Sequence, residues 1–169
     1  QECILDAGNN GSNNADCVYF VYNQNRIILK SVNAYYNEAV TTNYNDQWMH
    51  VAACRSGTNL RIFKNGTLLN TTTNSTDMKS GSNLFFIGKA SLLTMDLTGS
   101  ISNLRVVKGQ ALYTSSFRPS TEPLTTTSQG ATASNVRLLC CQGSTPSAAT
   151  VTPYTLSCLL YTSDAADER

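Results

Sequence analysis

The chain has one histidine, His50, and one tryptophan, Trp48, and only 14% of its 169 residues are charged. A single histidine with no C-x-x-C spacing gives a zinc site little to build on. There is no G-x-S-x-G elbow to carry a serine nucleophile, and no glycine-rich loop to cradle a phosphate. The net charge is +1, with no cluster of lysine and arginine. That argues against nucleic acid or an anionic membrane as the main partner. No apolar run approaches a membrane span, and no signal peptide opens the chain. Since it begins on Gln1, the chain is expected to be a fragment whose targeting information, if any, lies upstream.

What the chain has in abundance is threonine, serine and asparagine, which fill 56 of its positions. These residues favour turns, caps and strands over helix interiors, so long helices are not expected. The stretch from Asp46 to Leu69, DQWMHVAACRSGTNLRIFKNGTLL, organises the rest. Two apolar runs, Met49 to Cys54 and Leu60 to Phe63, flank the reversal signal Ser56-Gly57-Thr58-Asn59. The second run ends at Asn65-Gly66, the pair best suited to a type I′ turn, where two residues must tolerate positive φ. The strand Leu60 to Lys64 is thus predicted to pair on both sides, at the centre of a three-stranded meander. Further strands are expected at Cys3 to Leu5, Cys17 to Tyr22, Arg26 to Leu29, Leu84 to Gly88, Gly99 to Gly109 and Val136 to Cys141. The periodicity from Val32 to Tyr44 settles no register.

The last residues, from Cys158 to Glu168, read CLLYTSDAADE. They resemble the one-frame translation of a transposase-end adapter used in sequencing libraries, so residues 158–169 are expected to lie outside the natural protein. Without them five cysteines remain, Cys3, Cys17, Cys54, Cys140 and Cys141, an odd and irregular set that makes a poor disulfide framework. Each is expected to pack as a small hydrophobe, and a bridge between the adjacent Cys140 and Cys141 would be strained.

Two segments carry a resemblance. WMHVAACRSGTNLRIFKNG resembles the W-x-H-V-A hairpin, ending in N-G, of the laminin-G-like domains in the concanavalin A-like lectin/glucanase superfamily. GSISNLRVVKGQALYTSSFRPSTEPL is similar to the G-x-I-s-n-L-R motif, continuing through A-x-Y-t-x-x-F-x-P, that follows it. The pattern resembles most closely the version found in tail fibres and structural proteins of marine bacterial viruses, and it covers about Asp46 to Pro153. The resemblance implies an all-β jelly-roll sandwich of two antiparallel sheets, in agreement with the many short strands. It also implies that N-terminal strands of the sandwich are missing. Residues 1–123 are expected to form the sandwich fragment, and 124–157 a polar linker carrying the strand 136–141.

Related glucanases place their acid and nucleophile on one strand face through E-x-D-x-x-E spacing. Outside the tail only Glu2 and Asp6 lie two to four residues apart, at a chain end, so no catalytic residues are assigned. His50 is expected to be a packed, hydrogen-bonded histidine sharing a strand face with Trp48, Ala52 and Cys54. Calcium is the one cofactor left open, since loop oxygens suffice for it, and Asp77 and Asp96 are its candidate ligands. For a cell-surface glycan or polysaccharide the candidates are Asn43, Tyr44, Asp77, Asp96 and Tyr113, with Asn and Asp to hold hydroxyls and Tyr to stack on a sugar face. The expected function is a non-catalytic binding or adhesion module of an extracellular or virion protein, homo-oligomeric in a fibre. A hydrolase or lyase of the same sandwich class, or a spacer without ligand, are the alternatives.

The expected core is Trp48, Val51, Ile62, Phe86, Ile87, Ile101 and Leu104. Deleting residues 158–169 should leave the unfolding midpoint unchanged, because a sequence never selected to pack contributes nothing to stability. Thermal unfolding of the truncated chain beside the full chain checks this, and a clear loss of stability would show the tail to be a true strand.

Overall fold

Alternating and continuous apolar runs separated by Asn, Gly and Ser become antiparallel strands in the computed structural model, eleven of them among the described residues. The structure describes residues 2–7, 18–23, 26–30, 35–40, 47–75, 86–89, 96–143, 145 and 148–152. No α-helix occurs among them; two single 3-10 turns, Ser128–Gly130 and Ala133–Asn135, are the only helical pieces described.

The first sheet contains β1 (Glu2–Ala7), β2 (Val18–Asn23), β3 (Arg26–Lys30), β4 (Tyr35–Val40) and the two-residue β8 (Phe86–Ile87), in the order β4-β3-β2-β1-β8. The second sheet is the meander β5 (Val51–Ser56), β6 (Asn59–Lys64) and β7 (Thr67–Thr73), with β6 paired on both sides as its two turn signals require. In the third, β10 (Val136–Cys140) lies between β9 (Leu104–Val107) and β11 (Ala149–Val151).

The meander packs on the first sheet. Ile62 of β6 meets Ile27 of β3 and Ala39 of β4, and Ile4, Met49, Val51 and Leu69 close around them. The Asn70 side chain reaches across to donate to the Glu38 carbonyl at 2.8 Å. At the outer strand of the first sheet, Arg26 and Glu38 form a salt bridge. Leu60, Ile62, Phe63 and Lys64 are all buried, as they must be in a central strand covered on both faces. Ile27, Ile28 and Leu29 form a similar buried run in β3.

Of the seven predicted core residues, Ile62 is fully buried and Val51, Phe86, Ile87, Ile101 and Leu104 are partly buried, whereas the expectation for Trp48 is corrected. Phe86 and Ile87 lie on an edge strand, and so does Leu104, so each lacks a neighbour on one side. Trp48 is 74% exposed. The strand begins at Val51, two residues later than the apolar run suggested, so the period-two pattern does not extend back to Trp48. The strand expected from Gly99 to Gly109 is likewise shorter. Asn103 takes a left-handed conformation (φ 55°), donates its N–H to the Cys141 carbonyl at 2.9 Å, and thereby starts β9 at Leu104.

The segment expected to be a linker after residue 123 is tied into the fold instead. β10 pairs with β9, and Ala131, Val136 and Leu139 form a second small core with Val107, Leu112, Leu124 and Val151. Arg105 binds the Thr125 carbonyl (2.9 Å) and the Ser128 carbonyl (2.8 Å), while the Gln110 amide clamps Gly130 and Thr132, each at 2.8 Å. These polar side chains carry a chain that composition alone marks as loose.

Burial places the stability in β6 rather than at Trp48. Phe63→Ala should cost about 3 to 5 kcal/mol, the usual loss for a buried aromatic ring, whereas Trp48→Ala should stay within about 0.5 kcal/mol of the parent. Denaturant unfolding of the two variants checks both values, and a large loss for Trp48→Ala would contradict its exposure.

Candidate functional site

The two sequence motifs meet at the Asn65-Gly66 turn. Asn65 (φ 49°) and Gly66 (φ 79°) both take positive φ, as a type I′ turn requires. Asn65 then binds back to the start of β5: its N–H donates to the His50 carbonyl at 2.8 Å, and its Oδ1 accepts the His50 N–H at 2.9 Å. On the other side the Phe117 N–H donates to the Gly66 carbonyl at 2.8 Å, and the Leu68 N–H to Ser116 Oγ at 3.0 Å. A Cβ at position 66 would run into the Phe117 carbonyl oxygen and lie 2.8 Å from Pro119 Cδ, so only glycine allows this contact.

Beneath the turn the face of the meander away from the first sheet carries an aromatic cluster. Tyr113 and Phe117 stack with ring centroids 3.6 Å apart and planes 5° from parallel. Phe63 meets both edge-on, at 6.1 and 5.4 Å, and His50 meets Phe117 edge-on at 5.5 Å. Burial raises the Tyr113 phenol above its ordinary value of 10.0, with a hydrogen bond from Arg105 and its positive charge working against the rise. Burial also lowers His50 below 6.5, and the positive charge of Arg105 adds to the effect. The imidazole is thus neutral at neutral pH. His50 is packed, as expected, but its buried Nδ1 has no hydrogen-bond partner among the described residues.

Of the five predicted ligand residues, Asp96 and Tyr113 lie among the described residues. Asn43, Tyr44 and Asp77 lie outside the described residues. Asp96 is exposed, and the ammonium of Lys89 faces it at 3.9 Å. Tyr113 belongs to the aromatic cluster, with one ring face taken by Phe117. Among the described residues no three of His, Cys, Asp and Glu converge in a way that would hold a metal ion. Nor is any helix long and apolar enough to cross a membrane.

Trp48 is not among the predicted ligand residues, yet it is the exposed aromatic of this region. Its indole stands out from the surface immediately before β5, and the polar Asp46-Gln47 in front of it was the available signal that the strand had not yet begun. An exposed aromatic on an antiparallel β scaffold is an arrangement suited to recognising extended surfaces or sugars.

All-antiparallel sheets packed face to face, with no helical layer described, define a β-sandwich. Comparison with protein families matches residues 2–113 to the concanavalin A-like lectin/glucanases superfamily, and the chain belongs to it. A search of curated proteins and one of solved structures each gave no match. The match includes β1 to β4, upstream of the resemblance seen in the sequence, and ends at Tyr113, ahead of β10 and β11.

The lowered His50 value makes stability depend on pH. Between that value and 6.5 the unfolded chain binds more protons at this site than the folded one. The contribution is fully present above 6.5 and is lost as pH falls through this window. Because His50 is the sole histidine, His50→Phe, which keeps a ring against Phe117 but cannot titrate, should unfold with a flatter dependence between about pH 5 and about pH 7. Urea melts of both proteins across that range measure the difference; parallel curves would show that His50 is not held neutral.

Proposed function

We propose that this protein is a non-catalytic carbohydrate-binding or adhesion module of an extracellular or virion structural protein, of the tail-fibre kind, and that Trp48 is its sugar-stacking platform. The observation that carries the reading is the 74% exposure of the indole at the rim of a sandwich of the lectin/glucanase superfamily. A flat, rigid ring presented to solvent matches the apolar face of a pyranose, and its N–H is free to meet a hydroxyl. Asn43 and Tyr44, a few residues before it in the chain, are the polar and aromatic residues proposed to complete the contact.

The non-catalytic part is supported by where the described carboxylates lie. Asp6 is buried inside the first sheet, Glu38 is held by Arg26, and Asp96 faces Lys89. Glu38 and Asp96 each face a cation, not the second carboxyl group that glycoside hydrolysis uses. A single exposed ring gives weak binding, so attachment would come from several copies on a fibre, where linkage raises avidity by about 10² to 10⁴.

The test is a glycan array probed with a multimerised form of the chain, with and without calcium, beside a reducing-end assay on laminarin and related polysaccharides. Trp48→Ala should lose the array signal while its unfolding midpoint stays that of the parent. Reducing ends released by the purified protein would overturn the non-catalytic reading, and a blank array at high valency would leave a spacer.

A further inference from the structure

Adjacent residues of a strand point to opposite faces, which keeps their side-chain ends apart. Cys140 and Cys141 break that rule. β10 ends at Cys140, and Cys141 takes a left-handed conformation with φ 60°, uncommon for a residue with a side chain. The turn brings both sulfurs to the same side, with the Sγ atoms 3.5 Å apart and both thiols free. Cys140 is 1% exposed and Cys141 half-buried, so one sulfur is shielded and the other is within reach of solvent.

The backbone at this point is also a bracket for three loops. The Cys141 carbonyl accepts the Asn103 N–H at 2.9 Å. Asn103 Oδ1 accepts the Leu124 N–H at 3.0 Å and the Gln142 amide at 3.3 Å, and Gln142 also donates to the Leu124 carbonyl. Thr150 Oγ1 donates to Gln142 Oε1 at 2.9 Å, which ties in β11. The left-handed residue is thus held from several sides, which is how such a conformation persists.

We propose that Cys140 and Cys141 form a vicinal dithiol that reacts with small disulfides of the glutathione class and closes to a ring disulfide. In the first step the Cys141 thiolate attacks one sulfur of the small disulfide. An S–S bond forms to Cys141, and the other half leaves as a thiolate. In the second step Cys140 gives its proton to solvent and attacks the Cys141 sulfur, expelling the second small thiolate. Two protein thiols are oxidised and one small disulfide is reduced to two thiols, so electrons and atoms balance. In the reduced pair, burial and the neighbouring Cys141 push the Cys140 thiol up to about 12; the burial remains once Cys141 is in the mixed disulfide, so the second step quickens with rising pH. Adjacent Cα atoms are closer than an unstrained disulfide prefers, so the closed ring is easily reduced again, a reversible modification rather than a structural bridge. Closure has to turn the backbone at Cys141, and with it the carbonyl that holds Asn103.

The experiment treats the full reduced chain carrying Cys158→Ser, because the peptide that follows Arg137 also contains Cys158, with oxidised glutathione at several pH values and maps that peptide by mass spectrometry. The expected product is that peptide lacking two hydrogens, formed through a glutathione adduct on Cys141, faster at higher pH and fully reversed by dithiothreitol. Cys140→Ser should stop at the adduct, and Cys141→Ser should give neither adduct nor ring on this peptide. Amide exchange at Asn103 should lose protection when the ring closes. A peptide that stays reduced while other cysteines react, or an adduct that never closes at any pH, would overturn the proposal.

Discussion

The structure hinges on one close approach, that of the Gly66 backbone to the Phe117 carbonyl and the Pro119 ring. There is no room there for any side chain, and the contact joins two stretches fifty residues apart. On one side it holds the β6-β7 turn, and through Asn65 the entry to β5. On the other it fixes the irregular chain from Tyr113 to Pro119, which bonds to the turn and to β7 through the Phe117 N–H on the Gly66 carbonyl and through Ser116 Oγ, which accepts the Leu68 N–H. Without that approach, the outer face of the meander would have nothing to cover it.

That outer face explains why a small chain with modest hydrophobic content folds around β6. Ile62 points to Ile27 and Ala39 of the first sheet, while Phe63 meets Tyr113 and Phe117 on the other side. One strand therefore serves two interfaces. Edge-to-face and stacked aromatic pairs add about 0.5 to 1.5 kcal/mol each beyond the area they bury, and Arg105 is placed between this cluster and the Thr125 to Ser128 loop, linking the second sheet to the third. The same arginine helps keep His50 neutral, so the sole histidine acts as packing. The exposed indole lies in front of β5, and the adjacent thiols where β10 ends, both away from this packed centre.

What the sequence by itself determined is the part ruled by local chemistry. Asn65-Gly66 tolerates positive φ, Ser56-Gly57-Thr58-Asn59 reverses the chain, and the intervening runs alternate, so the meander and the paired β2 and β3 were legible from residue types alone. The all-β class followed from the same signals. What only the tertiary structure decided is where each strand stops and which side chains water reaches. Trp48 stands next to an apolar run but precedes β5, and it is exposed. Asn103 and Cys141 end strands that their neighbours would have extended, because each is held left-handed by a partner far along the chain. The stretch after Glu122 looks like a linker by composition and is structural through Arg105, Gln110 and Gln142, whose bonds go to backbone groups twenty or so residues away. Burial and long-range hydrogen bonding are properties of the packed chain, and no local pattern of residue types encodes them.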